Sequence, residues 1–258
     1  MKKLFLFLLF ALSESTDCFA LSLKQQMDVQ IGIFDAAKVT LNYKEEENTF
    51  DIQAKISTAN FFDTLYPFLA HYKSYGKLGD KFLPVLYETR AQSRNHVRTK
   101  KVFYDKTGLA YKRISSKDEE VKERAIAKDF PNADAADLQT VFAELIHLYR
   151  QTGQCQLVRE VYDGKKHYKA IVEDKGIDKR FFNVSGKEES TRLCAVYIEN
   201  LQDNNDNILW DVTSDRPIKM WVGEDQQTKI PFIVEIVIDS TPLGALKVTP
   251  KSVDINKG

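Results

Sequence analysis

The sequence predicts a mainly β protein: a curved antiparallel sheet forming a half-barrel or open barrel, with one amphipathic helix packed across it. Three observations carry that expectation. Short segments alternate apolar and polar residues at period two, turn signals separate them at hairpin spacing, and one segment departs to the helical period.

Alternation is cleanest in Phe50-Asp51-Ile52-Gln53-Ala54-Lys55-Ile56-Ser57, the pattern of a strand with one dry and one wet face. Val29 to Phe34 and Val39 to Tyr43 precede it. Further strands are expected over Ala70 to Lys77, Phe82 to Thr89, Val97 to Tyr104 and Leu109 to Ile114. A second series covers Cys155 to Tyr162, Lys166 to Val172, Lys179 to Val184 and Thr191 to Glu199. It continues with Ile218 to Val222, Pro231 to Ile238 and Leu243 to Val248. Lys106-Thr107-Gly108, Asp163-Gly164, Ser185-Gly186 and Pro242-Leu243-Gly244 mark turns, and Asp-Gly suits a two-residue type I′ turn with positive φ at both positions.

The helical segment places Leu138, Val141, Phe142, Leu145, Ile146 and Tyr149 on one stripe, with Asp137 as N-cap and Gly153 just past the end. It divides two strand-rich halves that share no repeat, so one continuous sheet is expected over residues 21–258. The charged stretch from Lys117 to Asp134, with Pro131, reads as an exposed loop, and Lys44-Glu45-Glu46-Glu47 and Lys117-Asp118-Glu119-Glu120 read as solvated turns.

Before the strands, Lys2 and Lys3 lead an apolar run from Leu4 to Leu12 and a polar segment ending Cys18-Phe19-Ala20. This is the pattern of a secretory signal peptide cut after about Ala20. An uncleaved anchor and a lipid on Cys18 are the rivals, and Asp17 directly before the cysteine fits lipidation poorly. The expected location is the periplasm. Charge is balanced, 37 basic against 37 acidic residues, and loss of Lys2, Lys3, Glu14 and Asp17 keeps it so. No global field recruits nucleic acid.

Export makes the cysteines informative. Cys155 and Cys194 remain after cleavage, each facing the apolar side of an alternating strand, and a disulfide between them is expected; two buried reduced thiols are the alternative.

In the second half Gly153-Gln154-Cys155 is followed by Val161-Tyr162-Asp163-Gly164-Lys165-Lys166-His167-Tyr168 and Leu193-Cys194-Ala195-Val196-Tyr197. Trp221-Val222, Ile230-Pro231 and Pro242-Leu243-Gly244-Ala245 come last. This order resembles the exported Gram-negative bacterial proteins carrying domain of unknown function 3108. Tyr75-Gly76 and Leu83-Pro84-Val85-Leu86-Tyr87 agree with it in the first half. The chain departs at Ala36-Ala37, where the family has a second glycine, and at Asp137-Leu138-Gln139-Thr140, where it has Asp-Pro-Leu-Ser. The resemblance implies export and a β-rich fold, and no reaction.

No catalytic motif stands up. Ser74-Tyr75-Gly76-Lys77, Ser93-Arg94-Asn95 and Lys106-Thr107-Gly108 follow the order of the serine β-lactamase boxes, but they sit in neighbouring hairpins instead of on a helix start and distant elements. His71, His96, His147 and His167 are scattered without ligand spacing, so no metal and no cofactor are expected. The segment of functional interest is Phe61-Phe62-Asp63-Thr64-Leu65-Tyr66-Pro67-Phe68-Leu69, with four aromatics and two leucines. Its Phe61, Phe62, Leu65, Tyr66 and Phe68 are the candidate ligand wall for a hydrophobic or lipid-like molecule on the concave face; ordinary core is the alternative. The function expected is a non-catalytic exported binding protein, or else an envelope scaffold or assembly partner that meets another protein.

Overall fold

A computed structural model describes residues 21–79, 81–126, 135–201, 216–239, 241 and 244–257. The expected signal peptide Met1–Ala20, residues 127–134 of the expected loop and Pro242-Leu243 lie outside the described residues. The chain begins with β1 (Leu21–Ile31), β2 (Phe34–Glu46) and β3 (Thr49–Thr58), then a short helix α1 (Asn60–Leu65). β4 (Phe68–Lys77), β5 (Leu83–Ser93), β6 (His96–Tyr104), β7 (Ala110–Lys117) and β8 (Glu120–Ala125) complete the first half. Helix α2 (Leu138–Thr152) leads into β9 (Leu157–Tyr162), β10 (His167–Phe182) and β11 (Lys187–Asn200). β12 (Ile218–Glu224), β13 (Pro231–Ile238) and β14 (Leu246–Lys257) follow.

All fourteen strands form one antiparallel sheet in the order β8-β7-β6-β5-β4-β3-β2-β1-β14-β13-β12-β11-β10-β9. Each half is a meander, because hairpin connections keep sequence neighbours adjacent. The halves join where β1 lies along β14, from Leu21 opposite Lys257 to Ile31 opposite Leu246. The sheet then curls until its second end meets its first. Lys100 of β6 pairs with Asp163 in the β9–β10 turn at 3.2 Å, and Tyr162 packs with Tyr87, Val102 and Tyr104. Among the described residues β8 and β9 are not paired, so the sheet stays open and is not a closed barrel.

Both sheet edges are guarded. β8 is exposed throughout and carries Glu120, Lys122, Glu123 and Arg124, charges that oppose pairing with another strand. The edge of β9 is covered by the stretch before α2, where Ala136 donates to the Glu160 carbonyl and Tyr162 donates to the Ala136 carbonyl.

α2 packs on the concave face with Val141, Leu145, Ile146 and Tyr149 buried, and Leu138, the first residue of the stripe, is exposed. Asp137 accepts from the Thr140 amide as N-cap, and Gly153 ends the helix in the left-handed region that glycine adopts without strain. A cavity of about 20 Å³ remains between α2 and the sheet, bordered by Leu23, Gln25, Leu145, Met220 and Phe232. That is room for about one water.

Several expectations are corrected. Val29 to Phe34 is two strands broken at Gly32 and Ile33, because a hairpin turn made of apolar residues imitates a continuous run. The strands expected over Lys166 to Val172 and Lys179 to Val184 are one strand, β10, whose register slips between Asp174 and Ile177 around Gly176 at φ 91°. The Asp163-Gly164 turn has four residues: Asp163 donates its amide to the Lys166 carbonyl, and its side chain accepts from the Lys165 and Lys166 amides. Part of the expected loop after Lys117 is the edge strand β8, where charge on both faces hides the alternation. Lys44, Glu45 and Glu46 lie at the end of β2 and not in the turn.

Candidate functional site

The five aromatic and aliphatic candidates gather at one end of the sheet. Phe61, Phe62 and Leu65 lie on α1, Tyr66 is its C-cap, and Phe68 opens β4. The helix begins as β3 ends: Ala59 donates to the Ala36 carbonyl and Tyr66 to the Phe62 carbonyl. Thr58 fixes the loop by donating to Asp63 and accepting from the Phe68 amide. Arg94, in the β5–β6 turn, donates to the Leu65 carbonyl.

The side chains so positioned face solvent. Phe61 is 60% exposed and Tyr66 71%, while Phe62 and Phe68 are half-buried. The β1–β2 turn extends the patch with Ile33, 90% exposed, and Phe34, whose ring stacks on Phe61 with centroids 6.5 Å apart. Phe61 and Phe62 meet edge to face at 5.9 Å. Sequence reasoning missed Ile33 and Phe34, which it assigned to a strand. From this rim a strip of half-buried apolar side chains, Ile31, Ala37, Val39, Ala54 and Ile56, runs along the concave face toward α2.

α2 is held at the far end of that strip. Ile52 pairs with Ser74 and lies six residues before Thr58, so α2 and the rim are roughly 20 Å apart along β3. None of the five candidates borders the cavity beneath α2. At the helix start the buried Asp137 carboxylate accepts from Ser74 and Thr140. Burial pushes its pKa up, and those hydrogen bonds oppose the shift without cancelling it. At the helix end Arg150 and His147 reach Glu45 on β2, which also accepts from Tyr43. Burial would raise the Glu45 pKa, but the bonds from His147 and Tyr43 and the Arg150 charge outweigh it and hold the carboxyl below its ordinary range.

Cys155 and Cys194 form the expected disulfide, with Cα atoms 6.0 Å apart. Asp174 supports it, accepting from the Cys155 amide at 3.0 Å and pairing with Arg192 at 2.9 Å. The bridge anchors the chain leaving α2 to the inner face of the second half.

The other groups weighed in the sequence do not converge. Ser74 is committed to Asp137, while Ser93 pairs opposite Phe68 at the other end of β4. His96 contacts Asp118 at 2.6 Å, His167 contacts Glu160 at 3.1 Å, and His71 is exposed on β4. Among the described residues no group of three or more His, Cys, Asp or Glu could hold a metal ion. Burial, then the nearby Asp137 charge, pushes the phenols of Tyr87 and Tyr104 far up, so both serve as packing groups, and the buried Tyr104 hydroxyl has no hydrogen-bond partner among the described residues.

The family model described as protein of unknown function (DUF3108) matches residues 26–249. The chain belongs to this family. The match takes in the α1 rim, the clasped helix and both cysteines of this DUF3108 protein. No curated protein matches it. Among solved structures it is similar to a beta-barrel-like protein of domain of unknown function DUF1849 from Brucella abortus. The two share 7% identity over 93% of this chain and 98% of the other, with a TM-score of 0.49. No helix among the described residues is long and apolar enough to cross a membrane.

Proposed function

We propose that this DUF3108 protein is an exported periplasmic protein that binds a hydrophobic, lipid-like ligand and catalyses no reaction on it. The observation that carries this reading is the rim, where Ile33, Phe34, Phe61, Leu65 and Tyr66 are exposed together. Leaving large apolar side chains in water forgoes roughly 1.5–3 kcal/mol each, so a contiguous group of them is best understood as a contact surface. An acyl chain received there lies on the strip of Ile31, Val39 and Ala54 on the concave face. Each buried methylene contributes about 0.8 kcal/mol, which holds a chain without charged recognition.

The filled space beneath α2 favours a second reading, a non-catalytic envelope scaffold or assembly partner. Such a partner would dock on the same rim, because the charged β8 edge and the covered β9 edge resist strand addition. Purification from envelopes with lipids and proteins identified in one experiment separates the two. The carrier reading expects stoichiometric lipid lost on Phe61→Glu; a protein partner lost on the same substitution, without lipid, would replace it with the scaffold reading.

A further inference from the structure

The outer face of the first half carries a second feature, of opposite character to the rim. Alternation puts Lys55, His71, Arg90 and Thr99 outward on β3, β4, β5 and β6, and the ladder sets them side by side: Lys55 opposite His71, His71 opposite Arg90, Arg90 opposite Thr99. The next outward row, Gln53, Lys73, Glu88 and Lys101, is aligned in the same way. Together the two rows wall a groove of about 520 Å³.

The rows differ in charge. In the second, Lys73 pairs with Asp51 at 3.0 Å and Lys101 pairs with Glu88, so each cation has its carboxylate. The first has no carboxylate. Lys55, His71 and Arg90 are all exposed, and among the described residues none of their side chains takes part in a hydrogen bond or ion pair. Lys55 and Arg90 stand two strands apart on either side of His71, so the row presents two cations with no carboxylate between them. The chain as a whole has no net charge, which makes this excess local.

We infer that the Lys55–His71–Arg90 row is a binding site for a phosphate group carried by a larger polar molecule. The guanidinium of Arg90 offers a planar fork matched to two phosphate oxygens, while Lys55 supplies a point charge on the other side of His71. The groove exceeds what inorganic phosphate fills and falls in the range of small-molecule sites. It also shares Asn42 with a neighbouring polar depression of about 620 Å³ between β14 and β2, which leaves room for the rest of an extended ligand. Soluble phosphorylated compounds and phospholipid headgroups present the same group.

The test uses inorganic phosphate and vesicles on the mature protein. Phosphate should raise the melting temperature of the wild type beyond chloride of equal ionic strength. Arg90→Gln and Lys55→Gln should each weaken phosphate binding about tenfold or more, while Lys187→Gln, on the exposed β10–β11 hairpin, leaves it unchanged. Without phosphate both groove variants should melt no lower than the wild type, since neither exposed side chain makes a hydrogen bond or ion pair that the substitution removes. Sedimentation with phosphatidylglycerol but not phosphatidylcholine vesicles, lost in Arg90→Gln, identifies a headgroup as the source; a phosphate response without vesicle binding identifies a soluble compound. Absence of both responses in the wild type, or responses unaltered in both groove variants, overturns the inference. Binding of a fatty-acid probe at the rim is independent of either result.

Discussion

Arg150, in the last turn of α2, grips both carboxylate oxygens of Glu45 on β2, with Nη2 to Oε1 at 3.1 Å and Nη1 to Oε2 at 3.2 Å. A forked pair at this depth fixes where the helix lies, because neither group finds an equal partner in water once the helix is docked. Arg150→Ala should therefore destabilise the protein by about 2–3 kcal/mol, measured by urea denaturation.

The same contact gives a pH dependence with a definite sign. The Glu45 carboxyl is held below its ordinary range in the folded protein, so it binds fewer protons than in the unfolded chain. Its contribution is complete above the ordinary carboxylate range and is lost as pH falls through the lowered folded value. Acid unfolding of Arg150→Ala should begin at higher pH than in the wild type, followed by circular dichroism.

Asp137 behaves in the opposite sense. Burial raises its pKa, so ionisation works against folding as pH rises above the ordinary aspartate range. Asp137→Asn keeps an acceptor for Thr140 and should stay within about 1 kcal/mol of the wild type at neutral pH. Asp137→Ala loses the cap, about 1 kcal/mol, and leaves the buried Ser74 hydroxyl without its acceptor, for a total of about 2–3 kcal/mol. Equal losses in the two variants, by urea denaturation, would contradict this.

The Cys155–Cys194 bridge closes a segment separated by 39 positions. The loop-entropy account assigns it about 4 kcal/mol, and the paired Cys155→Ser, Cys194→Ser variant should lose about 2–4 kcal/mol. Mass spectrometry of the unreduced purified protein should find the two peptides joined; freely alkylated thiols would contradict the bridge.

The strands and α2 were legible because a half-buried sheet and a one-sided helix write their periods into the chain, as in Phe50 to Ser57 and Leu138 to Tyr149. Family membership was legible too, from the turn and cysteine motifs of the second half. α1 was not, because six residues make too few turns to show a period, and its aromatics read as core or wall with no sign of their exposure. Gln25 was missed although it stands in phase with Leu23 and Met27 on β1. It is fully buried and completes a rung across to β13, accepting from the Ile233 amide at 3.1 Å and donating to the Ile233 carbonyl. A polar residue at a core position was the available signal. Its partner, 208 positions away, becomes visible only in the fold. The Lys55–His71–Arg90 row was hidden for the same reason, since only the register sets the three side by side.

The central claim, that the exposed rim receives a hydrophobic ligand, is tested most directly by titrating a fluorescent fatty-acid probe into the wild type, Phe61→Glu and Tyr66→Glu. Both residues are exposed, so both variants should melt within about 1 kcal/mol of the wild type while binding the probe at least tenfold more weakly. A wild type that never binds the probe, or variants that bind it as tightly, would contradict the account.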